Sequence, residues 1–396
     1  MRVTLVSPFD PLPEHEPSAG AHVGGVERVL AHFALDLARR GHDVTLVCST
    51  AGARDDRFDG GVRVLREPRR GMLLRAPYVD LAARIPPESD LVHVPATYPF
   101  TTPPVLRRAR ALGIPAVLDF HFEPDPGDPL GRLAARAYRS LGPRAYPLAE
   151  LALVRSYEYG RSAPSLSCVP ESRWRVVPNG VDTRRFSPQG PRREGDYVLC
   201  VGRLVRYKGV EVLLRALSLL RPDVPLLLAG DGPQRAHLQS LARRLGVDAR
   251  FLGRVPDAEL PSLYRGARVT VLPSVNRQEA FGISLLESMA CGTPVVASGL
   301  PGVAEIARIG GLVARPGDPE SLSTQLLRAL HFDLLPRGQA LAERVQARYS
   351  WSAVTDRLLS AYHEALGLGA PAPDAPPRTL APEVATPADP RGHAVL

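Results

Sequence analysis

The chain has 396 residues, of which 44% are hydrophobic and 23% charged. It is too long for one ordinary core, and its composition excludes a disordered or fibrous chain, so two α/β-sized domains are expected. The net charge of +8 favours anionic partners, nucleotides or an acidic membrane surface, but the positive groups are spread along the chain, and no nucleic-acid partner is expected.

In chain order, "VTLVS" (3–7) reads as a strand, followed by a long loop and a helix from Val26 to Arg40. "DVTLVCS" (43–49), "DLVHVP" (90–95) and "PAVLDF" (115–120) are further strands. The turn-rich stretch "VPNGVDTRRFSPQGPRREGDY" (177–197) marks a break. A second series opens with "YVLCVG" (197–202), a helix at 210–220, "PLLLAG" (225–230), a helix at 234–245, "ARFLG" (249–253) and "VTVLPS" (269–274). A helix near 283–291, "PVVAS" (294–298) and a last helix at 351–366 complete it. Strands alternating with helices imply βαβ units and parallel sheets. The expected domains are 1–188, 189–350, a C-terminal helix at 351–367 packing back on the first domain, and a Pro- and Ala-rich disordered tail at 368–396.

Cys48, Cys168, Cys200 and Cys291 form no C-x-x-C pair and read as free thiols of a reducing compartment. The opening strand lacks the apolar stretch of a signal peptide, and no run approaches the length of a membrane span. A cytoplasmic protein is expected. The basic stretches "REPRRGMLLRAP" (66–77), "RRAR" (107–110) and "LGRLAARAYRSLGPRAY" (130–146) read as solvated helix faces or as contacts to the inner face of the plasma membrane.

Several chemistries are excluded. Lys208 is the only lysine among 49 lysines and arginines, and it lies in "RYKGV", so there is no P-loop. The first strand leads into "SAGAHVGG", which is not a dinucleotide fingerprint. No two aspartates stand two apart, and no His/Cys cluster has zinc spacing. No metal site and no cofactor are expected.

What remains are anion and hydroxyl binders in loops. "GRLVRYKG" follows a strand, which puts Arg203 and Lys208 at the carboxyl end of a sheet, as a fork and a point charge suited to a diphosphate. In "SVNRQEAFGISLLESMACG" a helix begins near Gly282. Its free N–H groups, near Phe281 to Ser284, make an anion site. Glu279 lies in the loop before that helix, and Glu287 lies within it, eight residues on, among apolar and small residues. Two ionised carboxylates accept from hydroxyls, so a sugar or ribose is an apt ligand.

These motifs resemble the retaining glycosyltransferases of family 4, the group 1 transferases. Glu279 and Glu287 fit the family's E-x7-E pattern. "GGVERVLAHFALDLARRGHDVTLV" (24–47), "VPNGVD" (177–182), "GRLVRYKGVEVLLRAL" (202–217) and "LLLAGDGPQRAHLQSLARRLG" (226–246) add to the resemblance. It implies an α/β fold of the GT-B type, two Rossmann-like, doubly wound parallel-sheet domains facing across a cleft. It further implies that Arg203 and Lys208 hold the pyrophosphate of a UDP- or GDP-sugar, without metal. Glu287 would bind the ribose, Glu279 the transferred sugar, and Phe281, Gly282 and Ile283 would offer backbone N–H groups. Gly24 and Gly25 would let the first-domain loop approach the phosphates, and His121 would lie near sugar and acceptor. The acceptor is expected to be a sugar, a lipid-linked or a small molecule, in cell-surface polysaccharide or glycolipid synthesis. Rival readings are a GT-B nucleotide-sugar epimerase, a phosphorylase carrying pyridoxal phosphate on Lys208, and a non-catalytic nucleotide-sugar-binding protein.

Overall fold

The computed structural model describes residues 1–12, 25–50, 55–57, 61–73, 76–96, 98, 100–123, 129–331 and 335–369. Gly24 and residues 370–396 of the expected tail lie outside them.

The first domain is one sheet. Its strands are β1 (Arg2–Ser7), β2 (Asp43–Thr50), β3 (Asp56–Arg57), β4 (Arg63–Pro68), β7 (Leu91–Pro95), β8 (Ala116–Phe120), β9 (Leu151–Val154) and β10 (Trp174–Val176). They lie in the order β10-β9-β8-β7-β1-β2-β4-β3, and only β3 runs antiparallel to its neighbour. β5 (Gly71–Leu73) and β6 (Ala76–Tyr78) form a separate hairpin. Helices α1 (Gly25–Arg39), α2 (Thr102–Ala111), α3 (Pro129–Leu141) and α4 (Tyr157–Arg161) complete it.

The strands of the sheet's centre, such as "LVHVP" and "AVLDF", are buried from end to end because helices cover both faces. On one face α1 buries Val29, Leu30, Phe33 and Leu37, spaced for one side of a helix. Truncating Phe33, which is fully buried, should cost about 3–5 kcal/mol. On the other face lie α2, α3 and the segment after the hairpin, around Val79, Leu81, Leu106 and Tyr138.

The second sheet is parallel, in the order β13-β12-β11-β14-β15-β16. Its strands are β11 (Val198–Val201), β12 (Leu226–Ala229), β13 (Ala249–Gly253), β14 (Val269–Leu272), β15 (Val295–Ser298) and β16 (Gly311–Ala314). Around it lie α5 (Val210–Leu220), α6 (Arg235–Leu245), α7 (Leu260–Gly266), α8 (Ile283–Ala290), α9 (Val303–Ala307), α10 (Pro319–His331) and α11 (Gly338–Tyr349). The last helix, α12 (Trp351–Ala365), returns to the first domain and packs Val354, Leu358 and Tyr362 into the core beneath α1.

The chain crosses between domains twice, and the crossings touch. Val181 bridges Ser350, and its N–H donates to Tyr349 O at 2.8 Å. Gly180 sits flat on Trp351, where a Cβ would come within 2.5 Å of the indole. The other face of that indole stacks on His32 of α1 at 4.1 Å. Val181 and Phe186 pack in the second core, so the joint expected near 188 falls earlier, at 177–181. A second correction concerns "REPRRGMLLRAP": it is not a helix face but the end of β4 and the hairpin, with Met72, Leu73 and Tyr78 exposed.

The carboxyl ends of the two sheets face one another. Tyr159 of α4 donates its hydroxyl to Arg277 O at 3.2 Å, and Arg277 donates to Ser162 O. Ala280 packs against the first core. The loop after β14 is therefore held against the first domain.

Candidate active site

β11 and β14 are neighbours, so the loops that leave their carboxyl ends run side by side. Lys208 ends a 3-10 turn after β11, and Glu279 lies in the loop after β14. Lys208 Nζ donates to Glu279 Oε2 at 2.6 Å, and Ser274 Oγ donates to the same oxygen at 3.2 Å. The close approach depends on Gly209. It has φ +66°, and a Cβ there would fall 2.0 Å from Pro273 O. The loops are also laced by Val275 N–H to Tyr207 O at 2.8 Å. Burial opposes the charge on Lys208, but the Glu279 carboxylate and the Tyr207 ring outweigh it and raise the ammonium's pKa.

Gly282, at φ +84°, turns the chain into α8. Phe281 is buried against Leu272 and Tyr349, whereas Ile283 and Ser284 are half-buried. The first-turn amides of Ile283 and Ser284 have no acceptor among the described residues, which leaves them for an anion.

Glu287 lies on α8 and accepts from the Tyr264 hydroxyl at 2.7 Å. Burial pushes its carboxyl up to about 7, while Tyr264 and Arg185 pull the other way. Arg28, in the first turn of α1, also lowers it, so the start of α1 faces this carboxylate across the cleft. Gly25 opens that helix and is exposed. A shallow cavity of about 510 Å³ is lined by Arg184, Arg185, Asp257 and Arg265, and the charges of Arg185 and Asp257 act on Glu287. Arg203 is exposed and, among the described residues, reaches the Tyr207 hydroxyl at 3.5 Å, so it is not gathered to Lys208.

His121 follows β8 and is buried. Its Nε2 lies 2.9 Å from Asp119 Oδ2. Burial pushes its pKa down to about 4, against Glu27 of α1, which raises it. The imidazole is neutral at ordinary pH. Asp119, Tyr264 and Ser274 escaped the sequence reading. A carboxylate inside the apolar "PAVLDF" was the available signal for Asp119, since such a charge is seldom buried without a partner.

The parts so far are a cation on a carboxylate, a free helix start, a buried carboxylate and a neutral imidazole. Residues 182–346 match the profile described as glycosyl transferases group 1, and residues 23–185 match glycosyltransferase family 4. A GDP-mannose-dependent alpha-(1-6)-phosphatidylinositol monomannoside mannosyltransferase of Mycolicibacterium smegmatis is 32% identical over 330 residues, covering 76% of this chain and 84% of that protein. The chain belongs to the group 1 glycosyltransferases of family 4.

A phosphatidyl-myo-inositol mannosyltransferase of Mycobacterium tuberculosis is 38% identical over 211 residues, 49% of this chain and 55% of that protein. In matches of that kind the chain spans little more than half the length of its relatives. Among solved structures, the sucrose-phosphate synthase of Thermosynechococcus elongatus superposes with a TM-score of 0.70 at 22% identity, over 93% of this chain and 100% of that one. Anabaena HepE in complex with UDP gives 0.66 at 19% identity, over 92% and 100%. The fold of this family 4 chain is GT-B, an α/β arrangement of two Rossmann-like domains.

Proposed function

We propose that the chain is a retaining, metal-independent hexosyltransferase that moves a hexose from a UDP- or GDP-sugar to an acceptor hydroxyl in glycolipid or cell-surface polysaccharide synthesis. The observation that carries this reading is the Lys208–Glu279 pair at the start of the α8 site. The ammonium rests on the carboxylate. A donor pyrophosphate would draw Lys208 to itself and free Glu279 to accept from the sugar hydroxyls. Arg203, exposed nearby, would swing in as the second cation.

As the C1–O bond to phosphate breaks, negative charge grows on the leaving diphosphate, where Lys208, Arg203 and the amides of Ile283 and Ser284 stabilise it. The acceptor oxygen forms the new C1–O bond on the same face, and its proton passes to the departing phosphate oxygen. Neutral His121 offers a hydrogen bond to sugar or acceptor without acting as an acid. A relative that matches over most of both chains is GDP-mannose-dependent, which supports GDP-mannose ahead of the UDP-sugars. Release of GDP or UDP from a panel of nucleotide sugars, in the presence of lipid extract, tests the reading. No release with any donor would overturn it.

Glu287 should make nucleotide binding pH-dependent. Ribose hydroxyls donate, so the ionised carboxylate binds, and affinity should fall towards tenfold per unit as pH drops below about 7. The folded pKa lies above that of the unfolded chain, so stability from this group is present at low pH and lost as pH rises through 7. Glu287→Gln should therefore raise Tm at pH 8, leave it nearly unchanged below pH 5, and abolish the pH dependence of binding. Calorimetry with UDP and GDP across that range checks both.

The acceptor reading includes an anionic bilayer. The hairpin with Met72, Leu73 and Tyr78 exposed leads into the same core that α2 and α3 cover. Arg69, Arg70, Arg107, Arg108, Arg110 and Arg136 are exposed on these elements. Among the described residues no helix is long and apolar enough to cross a membrane. Apolar side chains flanked by guanidinium groups suit the phosphate level of a membrane surface. The chain should co-float with vesicles containing phosphatidylglycerol and not with pure phosphatidylcholine. M72S/L73S should cut that binding about tenfold or more.

A further inference from the structure

Asp119 is fully buried at the carboxyl end of β8, and three side chains converge on it. Arg155, after β9, pairs with its Oδ1. His93 of β7 and His121 place their Nε2 atoms 3.1 and 2.9 Å from its Oδ2. Arg155 also donates through Nη1 to Val177 O at 2.7 Å. Tyr362 of α12 meets His93 Nδ1 at 2.7 Å. Val177 is the first residue after β10, where the chain leaves the first sheet, and α12 is where it returns. Both crossings between the domains therefore end in one buried cluster, and His121 is the member nearest the cleft.

The energetics ask for an explanation. A buried ion pair loses much of its attraction to desolvation, and apolar residues often replace it without loss. Arg155 is fully buried, its Nε has no hydrogen-bond partner among the described residues, and burial lowers its pKa to about 9. Stability alone is a weak reason for such a group. His121 adds a second clue. Its Nε2 lies near Asp119 but is not aligned for a hydrogen bond with any group among the described residues. A small rotation of the ring, or a small shift of the carboxylate, would make that bond.

We propose that Asp119 and Arg155 are positioning residues, a buried carboxylate–guanidinium lever that carries movement of the Val177 crossing to the His121 ring. When the domains close, Val177 O pulls on Arg155, Arg155 on Asp119, and the His121–Asp119 bond forms or breaks. The role of His121 beside the sugar rests on the transferase reading above; the lever itself does not. The charged and titratable groups that face the two imidazoles are Asp119, Arg155, Tyr362 and Glu27, the last through its field on His121.

The test uses the full chain, labelled with ¹⁵N-histidine, the His121 signal being assigned with His121→Asn. Arg155→Lys keeps the charge on Asp119 but is too short to hold Val177 as well. It should move the His121 ring ¹⁵N shifts while leaving both imidazoles neutral, as burial already holds their pKa values down. Arg155→Met leaves Asp119 without its cation, so one imidazole should gain a proton with an apparent pKa above about 6. If Arg155→Met does not fold, Arg155→Lys and Asp119→Asn still decide. With a donor that is turned over, Arg155→Lys should lower kcat about tenfold and change KM less than about threefold. His121 shifts in Arg155→Lys equal to the wild type would overturn the lever, as would unchanged titrations in Arg155→Met. These readings need no turnover, so failure to find a donor would count against the transferase reading and not against the lever.

Discussion

Lys208→Ala is expected to lower kcat about 10²–10³-fold, the range seen when one preorganised donor to a developing negative charge is lost. The ammonium is placed by named contacts. Its chain passes 3.5 Å from where a Cβ of Gly202 would stand, and its Nζ is held 2.6 Å from Glu279. Lys208→Arg keeps the charge but carries a longer, planar head into a space shaped for a point charge, and about tenfold or more should be lost. Sequence drift makes the same point, since arginine stands at every other basic position and lysine only here. A near-wild-type Lys208→Arg enzyme would show that only the charge matters. In Lys208→Ala the Glu279 carboxylate keeps Ser274 but loses its cation. Donor binding and circular dichroism together separate a lost ligand contact from a lost fold.

The second large effect is on stability. Gly209→Ala should destabilise the second domain by roughly 2–5 kcal/mol, combining a left-handed backbone with overpacking. The clash is with a backbone carbonyl, Pro273 O at 2.0 Å, which cannot rotate away as a side chain would. Relief requires the loop after β11 to part from the loop after β14, and those loops carry Lys208 and Glu279. Activity should therefore fall further than the loss of stability explains. Thermal unfolding in urea, followed with and without nucleotide, checks this. A Tm within about 2 °C of the wild type would contradict it.

The parts of the fold that were legible in the sequence are those where local pattern and burial agree. α5 and β13 fall on the residues that apolar periodicity picked out, 210–220 and 249–253. The strands of the first sheet's far edge, Leu151–Val154 and Trp174–Val176, were not read; the second is only three residues long. α2 begins on Thr-Pro-Pro, which looks like a turn although proline is well placed in a helix's first turn. The basic stretch at 66–77 was misread because charge density carries no period, and its apolar tip is the more informative feature.

The site divides in the same way. Glu279, Glu287 and Lys208 announce themselves by spacing and rarity, and the fold places Lys208 on Glu279 as two adjacent strand ends should. Arg203 was grouped with Lys208 because both follow the strand "YVLCVG" at the carboxyl end of the sheet, but Arg203 is left in solvent. Asp119, Arg155 and Tyr362 meet only because three strands and the returning helix converge, and no local window contains that information.

The measurement that tests the account most directly is a thermal-shift screen with UDP, GDP and their glucose, galactose, N-acetylglucosamine and mannose conjugates, with and without EDTA. The account predicts a shift with the nucleotides of one base, unchanged by EDTA and lost in Lys208→Ala. No shift with any nucleotide, or a shift that survives Lys208→Ala, would contradict the placing of the donor pyrophosphate between Lys208 and the start of α8.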